Sequence, residues 1–111
     1  MMDAEQLHDM LKDAQEKKGY FFNNDKSITL GLLDGLLVNK ERYGYTACPC
    51  RLASGDLEND RDILCPCLYR QPDLEQFGSC YCNLYVSKKW NNGTVPRVFV
   101  PERRPPEKTV F

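Results

Sequence analysis

The sequence predicts a small, mainly α, multihelical single domain. Three observations carry that expectation. The chain has 111 residues, and domains typically run to about 100–150, so one domain over residues 1–111 is the natural count. Apolar residues in the N-terminal part recur at helical spacing. All six cysteines fall between positions 48 and 82, which sets a chemical centre between two stretches of scaffold.

Residues 3 to 18 read as the first helix. Leu7, Met10, Leu11 and Ala14 fall at i, i+3, i+4 and i+7 and would form its apolar face. Asp3 suits the N-cap, and Lys17, Lys18 and Gly19 suit the C-terminal end. Tyr20, Phe21 and Phe22 are expected in the core, followed by a turn at Asn23, Asn24 and Asp25. A second helix is expected from Ile28 to Arg42, with Ser27 as its cap, Leu30, Leu33, Leu36 and Leu37 facing inward, and Gly44 as its stop. Gly31 and Gly35 each lower helix propensity by about 1 kcal/mol. Their i, i+4 spacing suits a close helix approach, or simply a weakened helix held by packing. Residues 55 to 64 suggest a short helix before the second cysteine pair. Pro72 suits the first turn of another, running through Phe77 and closed by Gly78. Further on, Leu84 to Val86 and Val98 to Val100 are β-prone, and Asn92-Gly93 between them is a turn signal. A short β-hairpin is expected there. The tail from Pro101 to Pro106 has three prolines and should be extended.

Composition narrows the function. Fifteen Lys plus Arg against sixteen Asp plus Glu leave a net charge of −1. That argues against a nucleic-acid protein, which carries a basic patch. No stretch approaches the roughly 18 apolar residues of a membrane span. The opening residues Met1, Met2, Asp3, Ala4 and Glu5 have neither the charge nor the apolar run of a signal or transit peptide. The expectation is a soluble, cytoplasmic protein. In a reducing compartment six cysteines are better explained as metal ligands or redox groups than as structural staples.

The cysteines form three C-x-C pairs: Cys48-Pro49-Cys50, Cys65-Pro66-Cys67 and Cys80-Tyr81-Cys82. A disulfide within such a pair closes a strained ring, so the sulfurs should partner across pairs or through a metal. A structural zinc takes four ligands, usually at wider spacing, and leaves two thiols over. A [4Fe–4S] cluster also takes four, and the remaining two can serve as a redox pair. The residues alone leave zinc and iron–sulfur both open, ahead of a disulfide framework.

The ordered pattern Cys48-Pro49-Cys50-Arg51, Cys65-Pro66-Cys67, Cys80-Tyr81-Cys82 resembles the catalytic chain of ferredoxin–thioredoxin reductase. The resemblance runs from about position 20 to 86 and extends to the tail Pro101-Glu102-Arg103-Arg104-Pro105. Two departures mark a divergent member of prokaryotic type. Tyr81 stands where the plant-type family has histidine. The gaps also differ, with fourteen residues between Cys50 and Cys65 and twelve between Cys67 and Cys80. The resemblance implies a helical fold around a [4Fe–4S] cluster near one surface. It implies cluster ligation by Cys48, Cys65, Cys67 and Cys80, and a redox disulfide between Cys50 and Cys82. It further implies ferredoxin as one-electron donor on one face and a thioredoxin or glutaredoxin-like disulfide as acceptor on the other. A small companion subunit is a further implication. On this scheme Cys50 attacks the target disulfide and Cys82 resolves the mixed disulfide.

The neighbouring residues carry weaker signals. Arg51 adjoins Cys50, where it would lower a thiol pKa; a surface arginine is the alternative. Tyr81 stands where the plant-type family has histidine, and a tyrosine is a poor proton exchanger at neutral pH. His8 reads as a solvated bystander on the first helix. Tyr43 and Tyr45 read as core. Trp90, beside Lys88 and Lys89, reads as part of a solvated loop, with a docking surface for ferredoxin as the alternative. The competing function is a zinc-stabilised binding module without turnover.

Overall fold

The computed structural model describes residues 2–109. It is mainly helical, as expected, with a two-stranded sheet holding two distant segments together. Helix α1 spans Ala4–Lys17 and α2 spans Lys26–Tyr43, and the two pack on each other. Short helices α3 (Leu57–Asp60), α4 (Arg70–Phe77) and α5 (Lys88–Asn91) follow, with 3₁₀ turns at Arg61–Ile63 and Pro106–Thr109. No described helix is long and apolar enough to cross a membrane.

The helix ends follow local chemistry. Asp3 caps α1 in a reciprocal capping box with Gln6. The cap of α2 is Asp25, not Ser27. The Asp25 carboxylate accepts from the Ser27 and Ile28 amides and from the Ser27 hydroxyl. Gly44 and Gly78 close α2 and α4 in the left-handed conformation at φ 86° and 79°.

The buried stripe of α1 is Leu7 and Gln15, with Ala4 and Leu11 packed beside them. Met10 and Ala14, expected inside, are exposed. The face is therefore rotated toward Gln15, because its side-chain oxygen accepts a hydrogen bond from buried Arg70 at 2.6 Å and is satisfied inside. His8 is also not a bystander: its ring is largely covered and stacks on Phe22 at 4.9 Å.

The expected C-terminal hairpin is absent. Strand β2 (Tyr85–Val86) pairs instead with β1 (Phe21–Phe22), antiparallel, with Phe21 opposite Val86 and Phe22 opposite Tyr85. Residues 88–91 between the two β-prone runs are helical, and Val98 and Phe99 are exposed without strand partners. Trp90 lies inside, 5 % exposed, with Arg97 stacked over its ring. It is neither a solvated loop residue nor a docking surface. Two buried clusters result. Leu7, Leu33, Leu36, Leu84 and Tyr85 surround Cys80; Ala47 and Ile63 surround Cys48. Cys82 packs against both.

Candidate functional site

Three loops bring the cysteine pairs together. The first two are tied to each other by an antiparallel bridge between Ala47 and Leu64. The Cys48 amide donates to the Ile63 carbonyl and the Cys65 amide to the Thr46 carbonyl, each at 2.8 Å. The third pair sits on a tight turn beyond the Ser79–Val86 bridge, where the Cys80 amide donates to the Tyr85 carbonyl at 2.9 Å. Asn83 takes the left-handed conformation at φ 62° to complete that turn.

Gly35 on α2 has a specific role here. A β-carbon at that position would lie 2.9 Å from Pro49 Cβ. The glycine lets the first cysteine loop, rather than another helix, approach α2. Gly31 meets nothing within 4 Å.

Cys48, Cys65, Cys67, Cys80 and Cys82 line one small cavity, together with Arg51, Arg70, Tyr81 and Tyr85. Cys50 is the exposed cysteine. All six thiols are free, and the Cys48 and Cys82 sulfurs lie 2.8 Å apart, well beyond a disulfide bond length of about 2.05 Å. Cys50 follows Cys48 by two residues on the same loop. Among the described residues, no three Cys, His, Asp or Glu side chains are grouped to hold a single metal ion.

The thiols differ sharply in acidity. Hydrogen bonds from Cys48 and then Cys82 pull the Cys50 pKa down to about 4. Hydrogen bonds with Cys48 and then with Cys50 push Cys82 up, and the bond with Cys50 is the largest influence raising Cys48. Burial raises Cys65 and Cys67, and raises Cys80 to about 11. Buried thiols of this kind bind protons tightly until a cation replaces them.

Two buried guanidiniums line the cavity with the sulfurs, and neither burial was legible in the sequence. Arg51 is not a surface residue. Its Nη1 lies 3.4 Å from Cys67 Sγ and 3.7 Å from Cys48 Sγ, and its plane stacks on Tyr81 at 4.6 Å and Tyr69 at 5.2 Å. Glu102, from the C-terminal tail, pairs with Arg51 at 2.7 Å. Arg70 is stacked on Tyr20 at 3.6 Å and on Tyr85 at 4.7 Å, and donates to Gln15. Among the described residues it has no carboxylate partner. A buried cation needs a counter-charge, and the cavity it lines also carries five thiols. The donor set therefore fits an anionic, thiolate-bound centre: soft sulfur ligands with positive charge behind them.

The tail that supplies Glu102 also supplies Arg103 and Arg104. Arg103 pairs with buried Asp73 on α4. Arg104, 3 % exposed, pairs with Asp62 at 3.0 Å and Asp60 at 3.5 Å, and donates to the Leu52 and Asn59 carbonyls. Tyr45 and Tyr69 donate to Asp60 and Asp62, each at 2.6 Å. The sequence shows this tail as extended, but not what it holds.

A helical domain with five thiols lining one cavity and the sixth, Cys50, exposed defines a thiol-based redox or metal-binding protein. Comparison with known proteins narrows that class. The family model of the ferredoxin thioredoxin reductase catalytic beta chain matches residues 2–99, and the chain belongs to this family. The chain is similar to the ferredoxin-thioredoxin reductase catalytic chain of Guillardia theta, 36 % identical over 70 residues, which cover 61 % of this chain and 65 % of that one. The Cyanidium caldarium catalytic chain is 30 % identical over 90 residues, 76 % of this chain and 74 % of the other. The Porphyra purpurea chain is 28 % identical over 78 residues, 65 % and 59 %. The chain thus spans under two thirds of the Guillardia and Porphyra proteins it matches.

Proposed function

We propose that this protein is an iron–sulfur disulfide reductase that takes single electrons from ferredoxin and reduces a thioredoxin-like or glutaredoxin-like disulfide. The observation that carries the proposal is the division of the sulfurs. Five line the cavity, whereas Cys50 is exposed, two residues from Cys48, whose sulfur lies 2.8 Å from that of Cys82. On this reading Cys48, Cys65, Cys67 and Cys80 hold a [4Fe–4S] cluster, and Cys50 and Cys82 form the redox pair. When bound, the cluster supplies one-electron transfer beside a two-electron disulfide.

The chain's own residues do the exchange. Cys50, as thiolate, attacks one sulfur of the target disulfide, and the other target sulfur leaves as thiolate. Cys82 then attacks Cys50 in the mixed disulfide. The Cys50–Cys82 bond forms, and the second target thiol is released. Two electrons and two protons restore both thiols for the next turn. A plant-type ferredoxin near −400 mV and thioredoxin near −270 mV differ by ~130 mV, about 6 kcal/mol for two electrons, so the direction is downhill. Exposure gives Cys50 the access that attack requires, and the part-buried position of Cys82 suits resolution.

Trapping tests the assignment. Cys82→Ser, reduced and mixed with an oxidised thioredoxin, should accumulate a stable mixed disulfide through Cys50. Cys50→Ser should form none. Trapping through any other cysteine, or none with Cys82→Ser, contradicts the roles.

A further inference from the structure

We infer that Glu102, in the C-terminal tail, is a positioning residue that holds Arg51 against the cavity sulfurs and thereby raises the reduction potential of the centre they bind. The inference rests on the iron–sulfur reading above and goes beyond it, because it assigns a function to a segment outside the cysteine loops.

The geometry of Arg51 is set from four sides. The Glu102 carboxylate accepts from Nε at 2.8 Å and from Nη2 at 2.7 Å, a two-point grip on one edge of the guanidinium. The Tyr69 and Tyr81 rings stack on its plane. The remaining nitrogen, Nη1, is thereby aimed at Cys67 and Cys48. The Arg51 side chain is 2 % exposed, so water scarcely screens its charge. Glu102 is itself held, since its Oε1 accepts from the Arg104 amide at 2.9 Å, and the Arg104 side chain is buried among Asp60 and Asp62. Tail anchorage, carboxylate, guanidinium and sulfurs form one continuous chain of contacts.

A centre that gains an electron gains negative charge. Hydrogen bonds to its sulfurs and nearby positive charge favour that reduced state. Losing Arg51 from its place should therefore make the potential more negative. The two residues predict opposite signs by simple charge counting. Removing the carboxylate of Glu102 takes away a negative charge and by itself raises the potential. Releasing Arg51 lowers it. The sign in a Glu102 variant thus separates positioning from bulk charge.

The test is a redox titration, followed optically, of the anaerobically purified holoprotein. Arg51→Gln should shift the midpoint to more negative potential. Glu102→Ala should shift it in the same direction, and Glu102→Asp, which keeps the carboxylate, should recover part of the shift. A rise or no change in Glu102→Ala overturns the inference while leaving the iron–sulfur reading intact. Loss of the centre from Glu102→Ala, with normal iron in the parent protein, marks a purely structural role and also overturns it. A parent protein without iron overturns both readings.

Discussion

At the scale of single residues, buried charge decides what the tail can tolerate. Arg104 is 3 % exposed and faces Asp60 and Asp62, both buried. Removing one partner of a buried ion pair strands the others without solvation, at about 3–5 kcal/mol. Arg104→Ala should therefore destabilise the protein by an amount in that range, read as a lower urea midpoint. Arg104→Lys should recover only part of it, because an ammonium does not reproduce the spread of the guanidinium over Asp62 and two carbonyls. None of this was legible in the sequence. The six cysteines announced themselves by spacing, and the cavity gathers five of them. The residues that give the cavity its charge, Arg51 and Arg70, are ordinary surface types by composition. Only their long-range partners, Glu102 for one and Tyr20 with Gln15 for the other, make them interior.

At the scale of elements, the two glycines of α2 separate propensity from packing. Gly31 has open space where a β-carbon would go, so Gly31→Ala should stabilise the protein by up to about 1 kcal/mol. Gly35→Ala carries the same propensity gain but drives a methyl to 2.9 Å from Pro49. It should yield no net stabilisation. It should also displace the loop bearing Cys48 and Cys50, seen as faster loss of iron from the purified protein. Matched thermal melts and iron-release rates of the two variants check both statements. The sequence placed α1, α2 and α4 because caps and stops are local signals. It misplaced the partner of Tyr85–Val86, because nothing local specifies pairing with Phe21–Phe22, more than sixty residues earlier. The Asn92-Gly93 signal marked a real change of direction, with Gly93 at φ 73°, but at the end of α5 rather than in a hairpin.

At the scale of the whole molecule, carboxylates tie the loops and tail together, and their ionisation makes stability depend on pH. Burial pushes Asp60, Asp62 and Glu102 upward. Hydrogen bonds outweigh it: from Tyr45 and Ser54 to Asp60, from Tyr69 and Arg104 to Asp62, and from Arg51 and the Arg104 amide to Glu102. All three end below the ordinary carboxylate range. A lowered native pKa means the unfolded chain binds protons first. The stabilisation is thus complete above the unfolded values near 4 and is lost as pH falls through the native ones. Tyr45 and Tyr69 are raised to about 12, first by burial and then by the bonds to Asp60 and Asp62. Their share is complete below about pH 10 and is lost as pH rises toward 12. Urea midpoints should be flat with respect to these groups between about pH 5 and 9 and fall on both sides. A midpoint that holds steady from pH 6 to 3 contradicts the network.

In the proposed enzyme, four sulfurs hold a [4Fe–4S] cluster and the other two exchange disulfides. Iron and acid-labile sulfide, measured on anaerobically purified parent, Cys50→Ser and Cys65→Ser proteins, test this division most directly. A brown parent with about four irons and four sulfides per chain is expected, with the same content in Cys50→Ser and loss of the cluster in Cys65→Ser. A colourless parent holding stoichiometric zinc and no sulfide would contradict it.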